Sequence, residues 1–227
     1  MRHDLLFPGI SLAFEGGFFG LSTVALLRVD GHPPILFDCG HHVTRGPLLA
    51  ALAAHSLSPD EIGTLVLSHL HFDHAENIEL FGAAEIVLSC VEWDYAAHPH
   101  CDDPHVASAI RARMTGRQVR LIEGETEIAP GLRLFPTPGH TPGHMALAYV
   151  ANDGARVTLA ADAVKTAREA MSGVPDMEFD PERRGGDTIR RVLDESDIIV
   201  PGHHPELRRT ASGWTWDSPA SLTLVVR

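Results

Sequence analysis

Ser68-His69-Leu70-His71-Phe72-Asp73-His74 sets four metal-ligating side chains within six residues, and the apolar run Thr64 to Ser68 (TLVLS) leads straight into it. So short an apolar run reads as a buried strand, which places the histidines at a strand's carboxyl end. Extended chain points alternate residues the same way. That geometry predicts His69, His71 and Asp73 converging on one side, with His74 turning into a following helix. Imidazole and carboxylate together suit zinc, iron, manganese or cobalt, and a strand end gives the donors a rigid base beneath open space.

Three more donors stand in the same kind of place. Pro138-Gly139-His140-Thr141-Pro142-Gly143-His144 follows the strand read at Leu132 to Phe135. Its prolines and glycines hold a tight path that presents His140 with little entropy left to lose. His144 reads as a turn or supporting residue rather than a direct ligand. Asp162 closes the run Arg156 to Ala160; taken alone it reads as the cap of a helix at Val164 to Met171, and only the company of the other clusters makes it a ligand candidate. Pro201-Gly202-His203-His204 comes directly after Asp197 to Val200 and contributes His203.

The remaining chain alternates strands and helices. Thr23 to Val29 and Ile35 to Asp38 read as a hairpin over Asp30-Gly31-His32-Pro33-Pro34; Glu85 to Ser89, Gln118 to Ile122 and Met145 to Val150 read as further strands, and Asn152-Asp153-Gly154 as a hairpin turn. Helical spacing appears at Pro47 to His55, Val91 to Ala97, Val106 to Met114 and Asp187 to Glu195, and Ser58-x-x-Glu61 has the form of a capping box. The expectation is a single α/β domain over residues 1–227, sheet packed against helices.

Composition narrows the function. Hydrophobic residues at 44% and charged residues at 21% are ordinary for a folded domain. A formal net charge of −12 disfavours nucleic acid as a partner, although bound cations can reverse the sign inside a cleft. Cys39, Cys90 and Cys101 form no C-x-x-C pair and no disulfide framework, which fits a reducing cytoplasm. Asp4 and Glu15 interrupt the apolar amino terminus and no run approaches the ~18 residues of a bilayer span, so no membrane anchoring is expected. The 15 histidines fall largely in short clusters, as a metal site would produce.

In content and order, H-x-H-x-D-H, P-G-H-T-P-G-H, the isolated Asp162 and P-G-H resemble the metallo-β-lactamase superfamily, from about Thr23 to His203. The resemblance implies an αββα sandwich with the site at its edge. It implies that His69, His71 and His140 hold one metal, that Asp73, His74 and His203 hold a second, and that Asp162 bridges them. Two adjacent divalent ions, zinc first with iron or manganese as alternatives, can share a hydroxide generated at neutral pH and clamp attacking and leaving oxygens. Asp73 would orient that hydroxide as the catalytic carboxylate of a binuclear hydrolase.

Within the superfamily the chain resembles the compact lactonase-like group, whose quorum-quenching members open N-acyl homoserine lactones. A small-molecule lactone or other carboxylic ester is the expected substrate. β-Lactamases of the commonest zinc class carry a cysteine where Asp162 stands, and flavodiiron reductases a glutamate where His71 stands. Glyoxalase-type thioesterases usually add a carboxyl-terminal helical domain, whereas 24 residues follow His203. Phosphodiester or RNA hydrolysis on the same clamp stays open, as does a mononuclear-iron redox enzyme resembling the persulfide dioxygenases. Lactonases typically place a tyrosine three residues after the bridging aspartate, where this chain has Lys165.

Lys165 and Arg168 read as solvated helix residues, with contact to an acidic substrate as their other role. His98-Pro99-His100-Cys101-Asp102-Asp103-Pro104-His105 reads as an exposed loop near the site rather than an extra metal site. Phe14, Phe18 and Phe19 among Gly16, Gly17 and Gly20 read as core packing at a sheet edge, with a substrate channel or a homodimer contact as alternatives. Cys39 reads as a small buried residue, and Asp38 as a hydrogen-bonding support for the metal loop.

Overall fold

Two strand-rich halves follow one another along residues 1–217, the part of the chain that the computed structural model describes. The first half opens with β1 (Arg2–Phe7) and a short ribbon, β2 (Ala13–Phe14) and β3 (Gly17–Phe18). It continues with β4 (Val24–Arg28), β5 (Ile35–Phe37), α1 (Arg45–Ala54), β6 (Thr64–Val66), α2 (Phe72–Ala75), β7 (Glu85–Ser89), α3 (Cys90–Tyr95), α4 (Ile110–Arg113) and β8 (Val119–Ile122). The second half runs β9 (Thr126–Ala129), β10 (Leu132–Pro136), β11 (Met145–Val150), β12 (Arg156–Ala161), α5 (Ala167–Ser172), α6 (Gly185–Glu195), β13 (Ile198–Pro201), β14 (Leu207–Thr210) and β15 (Gly213–Thr215).

Each half makes one sheet, in the orders β1-β4-β5-β6-β7-β8 and β15-β14-β13-β12-β11-β10-β9. Strand parity then sorts the apolar residues into layers. Along β4, Ala25 and Leu27 face the second sheet and pack with Leu134, Leu147 and Leu159. Val24 and Leu26 face the other way, onto Leu48 and Leu52 of α1. On the far side, Ala167 and Ala170 of α5 and Ile189 and Val192 of α6 cover Ala146, Ala148 and Ala160 of the second sheet. Burial of each such leucine contributes about 1.5–3 kcal/mol. Helix, sheet, sheet and helix therefore stack as the αββα sandwich expected.

Several elements differ from the sequence reading. The helix read at Val106 to Met114 shrinks to α4, because Val106 bridges to His71, the Ala107 amide bonds to Leu70, and Ala109 at φ 53° breaks the helical path. The helix read at Val164 to Met171 divides into a 3-10 turn, Asp162–Val164, and α5. Extended Thr166 separates the two and forms a capping box with Glu169. Strands β1, β9, β14 and β15, at or next to the sheet edges, and the ribbon lack a clean apolar alternation and are not legible in the sequence. The last ten positions of the expected 1–227 domain lie outside the described residues. No helix among the described residues is long and apolar enough to cross a membrane.

Candidate metal centre

Strand direction carries the functional loops to one edge. Strands β5 to β8 are mutually parallel, so Asp38, the segment Ser68 to His74 and α3 all leave carboxyl ends. In the second sheet β10 and β12 both run antiparallel to β11, and β13 is parallel to β12. His140, Asp162 and His203 consequently emerge on one side.

All seven residues singled out in the sequence meet there, and all are buried. His69, His71 and His140 each offer a nitrogen within 4.8 Å of the others, as do the donor atoms of Asp73, His74 and His203, and those of His69, His74 and Asp162. The route differs from the one expected for Asp73. The chain leaves extended geometry at His71 and turns into α2, so Asp73 parts from His69 and His71 and joins His74 and His203. His144 stays outside all three groups, its Nδ1 2.8 Å from Thr137 Oγ1.

Asp162 caps neither helix, since Ala161 precedes its 3-10 turn and Thr166 caps α5. Its carboxylate lies between the two outer groups. Oδ1 is 3.3 Å from Nε2 of both His74 and His203, and Oδ2 is 3.4 Å from His140 Nε2. The backbone is shaped to put it there. Ala161 holds φ 43° and ψ −130°, a strained region for a residue with a Cβ, and a Cβ on Gly202 would come within 1.9 Å of Asp162 Oδ1.

Each ring is fixed through its other nitrogen. His74 Nδ1–H donates to Asp38 Oδ2 at 2.7 Å, and Ser68 Oγ, which donates to the same oxygen at 2.8 Å, accepts from His69 Nδ1–H at 2.9 Å. His71 Nε2–H donates to Asp103 at 3.0 Å, His140 Nδ1–H to the Met177 carbonyl at 3.3 Å, and His203 Nδ1–H to the Leu21 carbonyl at 3.1 Å. These partners leave the inward-facing nitrogens as lone pairs, the state in which imidazole ligates. Nε2 of His69, His74 and His203 and Oδ1 of Asp162 are buried with no hydrogen-bond partner among the described residues. Leaving such groups unsatisfied costs about 1–3 kcal/mol each.

Charge in the cluster also asks for a cation. Burial and the neighbouring imidazoles of His74, His71 and His140 hold His69 neutral, far below the usual histidine range. Burial opposes ionisation of Asp162, but His203, Lys165 and His74 outweigh it and keep the carboxyl well below its ordinary range. His74 is likewise pulled down by burial and pushed well above the ordinary value by Asp73, Asp162 and Asp38. Three carboxylates around one buried ring are balanced more fully by a divalent ion than by one proton. The donor set fits such ions.

Other residues were less visible in the sequence. Asp103 lies in the segment expected to be exposed, and His98, His100, Cys101 and Asp102 there are exposed, but Asp103 is buried, bonded to His71 and, at 2.6 Å, to Tyr95. Glu92 of α3 joins both histidine loops, accepting from the Leu70 amide at 3.0 Å and from Thr141 Oγ1 at 2.7 Å. A glutamate inside an ordinary helical pattern carries no signal of that. Arg168 is solvated, with its side chain 81% exposed. Lys165 is not, for its side chain is 20% exposed and Nζ lies 3.3 Å from Asp162 Oδ2. The phenylalanines are also out of the core. The ribbon β2-β3 pairs only with itself, so Phe14, Phe18 and Phe19 stay exposed, and Phe18 packs on His105 and Phe72 at the rim of the site.

Residues 17–203 match the Metallo-beta-lactamase superfamily. The chain belongs to that superfamily. Among its metallo-β-lactamase relatives, an N-acyl homoserine lactonase of Bacillus thuringiensis is 32% identical over 161 residues, 67% of this chain and 60% of that one. The chain thus spans about 60% of the length of these lactonases. Metallo-beta-lactamase domain-containing protein 1 of Xenopus laevis is 30% identical over 204 residues, 90% of this chain and 80% of that one. A solved N-acyl homoserine lactone hydrolase with the product N-hexanoyl-L-homoserine bound at its catalytic metal center superposes with a TM-score of 0.72 at 25% identity, covering 88% of this chain and 92% of that one.

Proposed function

We propose that this chain is a dinuclear metal-dependent hydrolase of lactones or other small carboxylic esters. The observation that carries the reading is the Asp162 carboxylate, whose two oxygens face different histidine groups, Oδ1 toward His74 and His203 and Oδ2 toward His140. In this reading His69, His71 and His140 would hold one ion, Asp73, His74 and His203 would hold the second, and Asp162 would be shared between them. Zinc suits so imidazole-rich a donor set, with iron and manganese as alternatives. Two such ions would supply a nucleophile at neutral pH and stabilise the oxyanion that develops on the carbonyl.

The protein's own part is orientation. Asp38, Ser68, Asp103 and the backbone carbonyls of Leu21 and Met177 hold the five imidazoles with a lone pair inward. Asp73, whose Oδ2 lies 3.3 Å from His203 Nε2, would accept a hydrogen bond from the attacking water and aim it. Similarity to N-acyl homoserine lactonases and to a lactone hydrolase with bound product supports a lactone as substrate. Three cysteines without a disulfide among them support a reducing, cytoplasmic setting.

The test is elemental analysis of protein purified without chelator, with turnover measured on lactones, esters and RNA. Two ions per chain and lactone or ester turnover are expected. Asp162→Ala should keep the fold, lose at least one ion and drop turnover by about 100-fold or more. Strong His71-dependent RNA cleavage with no lactone or ester turnover overturns the substrate class. A single iron with oxygen consumption on persulfide overturns the hydrolase.

A further inference from the structure

Among the described residues, His100, Cys101 and Asp102 form a further group of metal-ligating side chains, outside the buried centre and with a sulfur among its donors. The sequence reads there as an exposed loop rather than a metal site. The three side chains are exposed, but the fold gives them a frame. The Asp103 amide donates to the His100 carbonyl at 2.9 Å, which closes a turn with Cys101 and Asp102 at its corners. Both ends of that turn are tied. The buried Asp103 carboxylate holds His71 and the Tyr95 hydroxyl, and the His100 amide donates to the same hydroxyl at 3.3 Å.

The donors are also close together. One ligating atom of each residue lies within 4.8 Å of the other two. The Asp102 amide donates to His100 Nδ1 at 3.2 Å, so this nitrogen presents its lone pair on the Asp102 side, and Asp102 Oδ2 lies 3.8 Å from it. Metal bonds of about 2.0–2.2 Å from each atom span that separation. Phe179 backs the His100 ring at 6.3 Å between centroids, and both border a cavity of about 340 Å³. Asp102, Glu178 and Asp180 line it against one guanidinium, that of Arg183, a balance that draws positive charge. Glu178 and Asp180 are answered by Arg183 and Arg184, whereas Asp102 has no cationic partner but His100 among the described residues.

We propose that His100, Cys101 and Asp102 form a third metal site, exposed and exchangeable, for zinc or another thiophilic divalent ion. The ion takes Cys101 as the thiolate, the thiol proton passing to solvent, and water completes the shell. Thiolate and imidazole together select zinc, cobalt or nickel over magnesium and calcium. With three protein donors at the surface the site gives up its ion on desalting, so protein isolated without added metal is expected to hold two ions and not three. The site is separate from the dinuclear centre and does not depend on the hydrolase reading.

Cobalt supplies the first test. A sulfur-to-cobalt charge-transfer band in the near ultraviolet reports a bound thiolate, and the donors of the buried centre are imidazoles and carboxylates alone. After dialysis of the whole protein against excess cobalt, wild type and Cys90→Ser should show the band. Cys101→Ser should lose it, and His100→Ala and Asp102→Asn should each need about ten-fold more cobalt or beyond for the same intensity. No band in wild type overturns the site. A band that outlasts Cys101→Ser overturns it too, as does one that His100→Ala and Asp102→Asn leave unchanged, because a thiol alone is then the ligand.

The second test uses zinc and the reactivity of the thiol. Iodoacetamide alkylates the thiolate, so added zinc should slow labelling of Cys101 by about ten-fold or more and leave labelling of Cys90 unchanged, both followed by peptide mass spectrometry. Magnesium should protect neither. Cys101 labelled equally fast with and without zinc overturns the proposal. Neither readout requires turnover, so the site and the hydrolase reading stand or fall separately.

Discussion

Asp38 shows how much one buried side chain organises. It takes hydrogen bonds from the Ser68 amide at 2.7 Å, from Ser68 Oγ and from His74, and through Ser68 it also sets the ring of His69. One carboxylate thus orients a histidine in each of the two histidine groups. It does so from a left-handed backbone at φ 58°, a conformation that asparagine tolerates as readily as aspartate. Asp38→Asn therefore removes acceptor strength without adding backbone strain. We expect its metal affinity to fall about 10–100-fold, measured by competition with a chelator. Affinity equal to wild type means that Asp38 serves packing alone.

At the scale of elements, the junction from β12 to α5 does the most. Strained Ala161 aims Asp162, the 3-10 turn passes Lys165 beneath His203, and Glu169 closes the turn by accepting from the amides of Lys165, Thr166 and Asp176. Burial pushes the Glu169 carboxyl up to about 7, the amide hydrogen bonds recovering only part of the shift. The folded chain therefore keeps a proton that the unfolded chain gives up near the ordinary glutamate value. Its stabilising contribution is complete below about pH 4.5 and is lost as pH rises through about 7. Glu169→Gln mimics the protonated form. The gap in urea midpoint between wild type and Glu169→Gln should move against wild type from pH 5 to pH 8, and a constant gap contradicts this account.

For the whole molecule, folding gathers Asp38, Asp73, Asp103 and Asp162 at one edge of a chain already at −12. Bound cations would offset that charge more fully than Lys165 and the histidines do, which would link metal binding to folding. Chelation should lower Tm by several degrees, with recovery that rises with added zinc concentration; scanning calorimetry with and without chelator decides this, and an unchanged Tm removes the linkage. The same charge bears on substrate. Ester turnover should vary little between low and physiological salt, since a small substrate needs no polyanion contacts, and a steep salt dependence speaks for a nucleic acid instead.

The seven candidate ligands and the alternation of strands and helices were legible in the sequence by itself. They are local facts, read from apolar runs, from turn residues and from donors adjacent along the chain, where backbone geometry alone sets what can point where. Sheet packed against helices also followed from the alternating elements, whereas the two-sheet sandwich came only with the resemblance to the metallo-β-lactamase superfamily. Tertiary structure decided the path of Asp73, which extended geometry alone would set beside His69 and His71, because a single helical turn after His71 carries it to His74 and His203. It alone brought Asp103 to His71, 32 residues away, and Glu92 to Thr141, 49 residues away, and it turned Lys165 from solvent to Asp162. Those pairings depend on which strand ends are neighbours in space. Strand order and direction set that, and neither is a property of any local stretch of sequence.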